Sequence, residues 1–184
     1  MLKITIPASE LFNEETNEFV SIKEQTLALE HSLVSLSKWE SKWRKPFLNR
    51  KKDEPLTNEE TIDYIRCMTL TQNVDPKVYL GITSEIIDEV VKYIEEPMTA
   101  TWFSEEANRR GPSREVITSE ILYYLMISYN IPFECQKWHL NRLLTLIRVC
   151  SEKNKPTKNM SKSDWMAKQK ALNAQRKAKM HSRG

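Results

Sequence analysis

Cys135 and His139 stand four residues apart, with Arg142 three further on, so on a helix all three share one face. A thiol beside an imidazole is the start of a nucleophilic pair. Such a pair also needs an oxyanion hole and a third group that orients the imidazole, and nothing in the sequence marks either. His31 and His181 lie far from His139, and no histidine has a ligand partner at i+2, i+3 or i+4 of the kind a metal site uses. Cys67, Cys135 and Cys150 form an odd set without a CxxC, which indicates neither a zinc site nor a disulfide framework. Each falls inside an apolar helical pattern, where a thiol behaves as a small hydrophobe. Only three glycines occur in 184 residues, too few for a Gly-rich phosphate loop or a dinucleotide turn. The expectation is adhesion, with no catalytic, cofactor or metal residues.

Aromatic and cationic side chains outside the core patterns are the candidates for adhesion. Trp102 and Phe103 sit in 98–110, where MTATW has strand character and SEEANRR reads as a polar loop; irregular segments of this kind carry binding surfaces. Trp165, Lys168, Leu172 and Arg176 belong to a segment of different composition. Residues 151–184 hold ten Lys or Arg against two acids, a net charge of +8, which leaves 1–150 at −5. From Asp164 to Met180 the tail is rich in strong helix formers. Its apolar surface is too thin for an isolated helix, so it is expected to be mobile until it folds against a partner.

A basic tail also attracts phosphate by counterion release, and Trp165 offers a ring for stacking, so nucleic-acid binding through 158–183 is the alternative reading. The acidic body and the lack of a helix-turn-helix or RNA-binding motif favour a protein partner instead. Trp165, Met166 and Leu172 make too narrow a face for membrane insertion. No run approaches ~18 apolar residues, and a protein of the cytoplasm is expected.

Several elements must position these groups. LKITIP alternates with the period of a strand ended by Pro7, 11–12 and 19–22 flank an acidic polar loop as a hairpin would, and 25–31 alternates again. A small sheet of three or four strands is expected, with 25–31 paired to the first strand. Leu33, Leu36, Trp39 and Trp43 then recur at helical spacing down to Pro46, and the two tryptophans are expected to pack on their own core. Thr57 and Glu60 have capping-box spacing for a helix to about Thr71. Asp75 and Pro76 start a short helix that Gly81 stops. Thr83 caps the next, which has Ile86, Ile87, Val90, Val91 and Ile94 on one side and Asp88, Glu89, Glu95 and Glu96 toward solvent.

The richest apolar stretch is 112–150. Gly111 and Pro112 break what precedes, Ser113 caps a helix through Val116, Ile117, Ile121, Leu122, Leu125 and Met126, and Asn130 with Pro132 ends it. A second helix over 133–150 carries Leu140, Leu143, Leu144 and Ile147. Burial of each large aliphatic group contributes about 1.5–3 kcal/mol, so this hairpin is expected to centre the core and to bury nearly all its apolar side chains. The fold class is α+β, mainly helical. The body is 1–150 with a small N-terminal antiparallel sheet (about 1–31) and a central helical hairpin; 151–184 is the basic tail.

Four long strings carry a resemblance: LEHSLVSLSKWESKW at 29–43, PMTATWF at 97–103, EVITSEILYY at 115–124 and NIPFECQKWHLNRLLTLIRVC at 130–150. On these the chain resembles the tail assembly chaperones of long-tailed, siphovirus-type bacteriophages, encoded next to the tape measure protein. The resemblance covers most of the chain. It implies a non-enzymatic assembly factor that holds the long helical tape measure protein, with tail tube subunits (the major tail protein) and further copies of itself as the other partners it admits. It further implies action in the cytoplasm of the infected bacterial host and absence from the mature virion. The resemblance supplies no catalytic or cofactor residues to carry over.

Overall fold

Leu2, Ile4 and Ile6 alternate with polar residues, and β1 (Leu2–Ile6) pairs antiparallel with β4 (Gln25–Leu29), Ile4 opposite Leu27. The inward members, Ile4, Ile6, Leu27 and Leu29, are all buried. β2 (Ser9–Asn13) and β3 (Glu18–Ile22) form a second antiparallel ribbon in which Phe12 faces Phe19. The expected single sheet is therefore two two-stranded sheets. Pro7 lies at the break, and its missing N–H removes a ladder bond where the ribbon bends. The computed structural model in which these elements are seen describes residues 1–13, 17–48, 55–103 and 116–154, together with 166–167, 169–173 and 176. The chain divides into two units, Met1–Ser151 and Glu152–Gly184.

The first unit is α+β and mainly helical. α1 (Leu33–Trp43) opens with a reciprocal capping box between Ser32 and Ser35 and closes at Arg44 in the left-handed region, φ 54°. Leu33, Leu36 and Trp39 are fully buried. The Trp39 indole donates to the Glu60 carbonyl at 3.0 Å. α2 (Asn58–Met68) carries the expected Thr57/Glu60 capping box, and the Phe47 and Tyr64 rings stack beside it with centroids 4.0 Å apart. It ends at Met68 rather than Thr71. The Leu70 N–H then reaches the Ala28 carbonyl and the Glu30 N–H the Met68 carbonyl, so the chain leaving α2 extends the edge of β4.

Asp75 and Pro76 begin a 3₁₀ helix, Pro76–Gly81, as expected. Gly81 is required by close approach: a Cβ there would lie 2.9 Å from Ile6 Cγ2 and 3.3 Å from Ile22 Cδ1. α3 (Ser84–Glu95) follows Thr83, whose side chain makes no capping bond. The C-terminal end of α3 is fastened by Asn141, whose side-chain amide donates to the Ile94 and Glu96 carbonyls, each at 2.8 Å. Between Glu96 and Phe103 the chain has no regular structure, so the strand character of MTATW is not realised.

The stretch 112–150 departs most from expectation. Ser113 lies outside the described residues, and α4 (Ser119–Ser128) begins after Thr118. Asn130 does take the left-handed conformation, φ 52°. The segment from Phe133 is a 3₁₀ helix to Lys137, and α5 (Leu140–Asn154) starts only after it. The centre of the core is not this hairpin but α1, against which α2, α4 and the 133–137 turn all pack. The tryptophan helix needs neighbours on most of its circumference, and the hairpin supplies one side of that shell. Burial is correspondingly incomplete: Leu122, Met126, Ile131, Leu140, Leu143 and Ile147 are inside, whereas Val116, Tyr124, Ile127 and Phe133 face solvent.

Candidate partner-binding surface

Residues 121–127 of α4, ILYYLMI, are apolar or aromatic without interruption, which covers every face of two helical turns. Only one face is used by the body. Ser119, Leu122 and Met126 are buried, while Tyr124 is 66 % and Ile127 61 % exposed, one turn apart on the opposite side. An apolar side on both faces is the pattern of a fully enclosed helix, and here one face is left uncovered. Tyr123 lies four residues before Ile127, and its ring approaches that of exposed Phe133 with centroids 6.4 Å apart. The Tyr123 hydroxyl donates to Gln136 Oε1 at 2.9 Å and ties the 3₁₀ turn to α4.

The base of this surface is held from within. α4 has no side-chain cap of its own at Thr118. Its first N–H, that of Ser119, is met instead by the buried Glu40 of α1, whose Oε2 accepts from it at 2.7 Å while Oε1 accepts from the Phe47 N–H at 2.9 Å. A carboxylate at a helix N-terminus is favoured both by the orphan donors and by the helix dipole. One side chain thus fixes both the turn after α1 and the start of α4.

A second exposed apolar pair lies on the β2–β3 ribbon. Phe12 and Phe19 face each other across the strands with ring centroids 5.1 Å apart, and both point to solvent. On the other face, Ile22 is buried against Gly81. Neither this pair nor Tyr124, Ile127 and Phe133 was singled out by sequence reasoning. For α4 the signal was present as an apolar run lacking the polar stripe that a half-buried helix needs.

Of the candidates named from sequence, Trp102 is 93 % exposed and Phe103 is half-buried. They are neighbours in the chain but differ in environment: the Arg148 guanidinium of α5 lies over the Phe103 ring, 3.9 Å from its centroid. In the second unit Leu172 and Arg176 are helical and exposed. Trp165 and Lys168 lie outside the described residues.

The Cys135, His139 and Arg142 group does not assemble as a nucleophilic pair. His139 Nε2 donates to the Tyr93 carbonyl at 3.0 Å, which leaves Nδ1 to accept from the Asn141 N–H at 3.3 Å. Both ring nitrogens are taken by backbone, so the imidazole has no lone pair to offer a thiol. Arg142 lies over the Trp138 ring, 4.2 Å from its centroid. His139 packs edge-on against His31, centroids 5.2 Å apart, and His31 Nδ1 shares a 2.6 Å hydrogen bond with the Tyr64 hydroxyl. Burial, and secondarily the neighbouring His139, push the His31 pKa from 6.5 down to about 3. Burial and the hydrogen bond to Glu30 raise that of Tyr93. These groups lock α3 and α5 to the sheet. Among the described residues, no three His, Cys, Asp or Glu side chains form a group able to hold a metal, and no helix is long and apolar enough to cross a membrane.

Comparison of the chain with protein-family models, with curated proteins and with solved structures finds no match. What the coordinates themselves define is an α+β, mainly helical body that leaves an apolar helix face and several aromatic rings open to solvent.

Proposed function

We propose that this protein is a non-enzymatic assembly chaperone that holds a long helical partner, the tape measure protein of a long-tailed bacteriophage, during tail construction. The observation that carries the reading is α4, apolar on all sides yet buried on only one. Tyr124, Ile127 and Phe133 give a rigid aromatic and aliphatic surface of the kind that captures the apolar stripe of an amphipathic helix. Trp102 and the Phe12–Phe19 pair supply further contact points. Contacts of this size are individually weak, which suits a holder that must later be displaced. The resemblance of the four strings at 29–43, 97–103, 115–124 and 130–150 supplies the identity of the partner, with tail tube subunits as a second one and the host cytoplasm as the place of action.

Co-expression with the tape measure chain followed by affinity capture tests the reading. The complex is expected to survive nuclease treatment and to be lost in the Tyr124→Ser/Ile127→Asp double variant. The competing use, nucleic-acid binding by the basic tail at 158–183, predicts retention on bare nucleic acid with a steep salt dependence and no effect of the α4 substitutions.

A further inference from the structure

α2 and α3 enclose between them a second apolar feature, separate from the α4 face: a groove with a cavity volume of about 280 Å³. Tyr64 and Val90 are buried in its floor, and Ile87, Val91 and Ile94 line its α3 wall. Those three fall at i, i+4 and i+7, so they run along the helix axis for roughly 10 Å. Val91 is 41 % exposed and Ile87 and Ile94 are half-buried, an unusual degree of exposure for three aliphatic groups in a row.

Among the described residues that line the groove, the charge has one sign. Glu95 is the charged residue among its lining groups. Glu85, Asp88 and Glu89 are exposed along α3 with Lys92 as the single cation of that helix. Among the described residues, no lysine or arginine forms an ion pair with Asp88, Glu89 or Glu95. Of the three acids of α2, Asp63 and Glu60 are in a different state, since Lys42 holds Asp63 and Lys45 holds Glu60, while Glu59 is exposed. An apolar trough with an unneutralised acidic edge is complementary to a helix whose apolar stripe is flanked by cations.

We propose that the α2–α3 groove binds an amphipathic helical segment of a partner whose apolar stripe is bordered by lysine and arginine. The inference rests on the reading of this protein as a holder of helical chains, and it adds a second site and a charge preference to it. Apolar side chains one turn apart on the incoming helix enter between Ile87, Val91 and Ile94, and its cations meet Glu95 and Asp88. The α4 face, with no acids among Tyr124, Ile127 and Phe133, sets no such preference.

Two synthetic helical peptides of about 18 residues test this: one of leucine, alanine and lysine with leucine at i, i+3, i+4 and i+7, and a twin in which glutamate replaces every lysine. Fluorescence anisotropy with the full-length chain is expected to show the lysine peptide binding about tenfold more tightly than its twin. Val91→Asp, at an exposed position that leaves the fold intact by thermal melting, should weaken the lysine peptide about tenfold. Glu95→Lys should weaken it about threefold and strengthen the glutamate twin. Ile127→Asp on α4 should leave the preference for the lysine peptide over its twin in place. Equal binding of the two peptides, no binding of either, or lysine-peptide affinity unaltered by both groove substitutions overturns the proposal. Because Ile127→Asp and the tape measure capture read the other surface, failure of the groove and failure of the chaperone reading give different patterns.

Discussion

Glu40 carries more of the architecture than any exposed residue does. Its carboxylate accepts from two buried N–H groups, those of Phe47 and Ser119. Glu40→Ala should therefore cost about 2–4 kcal/mol in urea unfolding, since hydrogen bonds to charged groups contribute roughly 1.5–3 kcal/mol each and are not fully additive. Glu40→Gln, which keeps one acceptor oxygen, should cost less; a loss below about 0.5 kcal/mol for the alanine variant would contradict the capping role. His31 makes a second prediction, on pH. Its folded pKa of about 3 lies below the ordinary 6.5, so above pH 6.5 the ring is neutral in both states and the full stability is present. As pH falls from 6.5 toward 3 the unfolded chain binds a proton that the folded chain resists, and stability drops by up to about 1.4 kcal/mol per pH unit. At lower pH Glu60 acts in the same direction, its carboxyl held below the usual range by the Lys45 hydrogen bond and then by the Thr57 N–H. His31→Gln should flatten the pH 4–6.5 limb of the stability curve, and an unchanged slope would locate the acid sensitivity elsewhere.

At the scale of elements, Gly81 tests how closely the sheets meet the 3₁₀ helix. A methyl at Gly81 would press on Ile6 and Ile22, two buried groups on different ribbons, so Gly81→Ala should destabilise by about 1–3 kcal/mol by overpacking. A neutral or stabilising result, read from the midpoint of urea unfolding, would show that the ribbons yield. Most elements were legible because their signals are local. Alternation marked β1 and β4, Thr57 with Glu60 marked the start of α2, and Asn130 with Pro132 marked the end of α4. What the sequence did not disclose is set by distant partners. Which helix is central depends on how many neighbours surround Trp39. The start of α4 at Ser119 is governed by Glu40, 79 residues earlier. The bend between β1 and β2 was foreshadowed by Pro7, yet its consequence, two sheets instead of one, is a matter of pairing across the ribbon. The candidate surface is partly legible: Trp102 is named and is open, Phe103 is named and lies under Arg148, and Tyr124, Ile127 and Phe133 fall in the stretch expected to bury nearly all its apolar side chains, because apolarity alone does not say which face is covered.

For the whole molecule, the proposed function divides adhesion differently between the acidic body and the basic tail. The body presents fixed apolar surfaces on α4 and between α2 and α3, and the tail brings a net charge of +8. Deletion of 161–184 should leave the melting transition of the body within about 2 °C of the full chain, because the buried core among the described residues lies within Met1–Ser151. A large drop would mean that the tail stabilises the body. The most direct test of the account is the solubility of the tape measure chain on co-expression, scored with the wild-type protein and with the folded Tyr124→Ser/Ile127→Asp variant. The account predicts a soluble tape measure with the wild type and a pelleted one with the variant. A tape measure that pellets with both, or stays soluble with both, would contradict it.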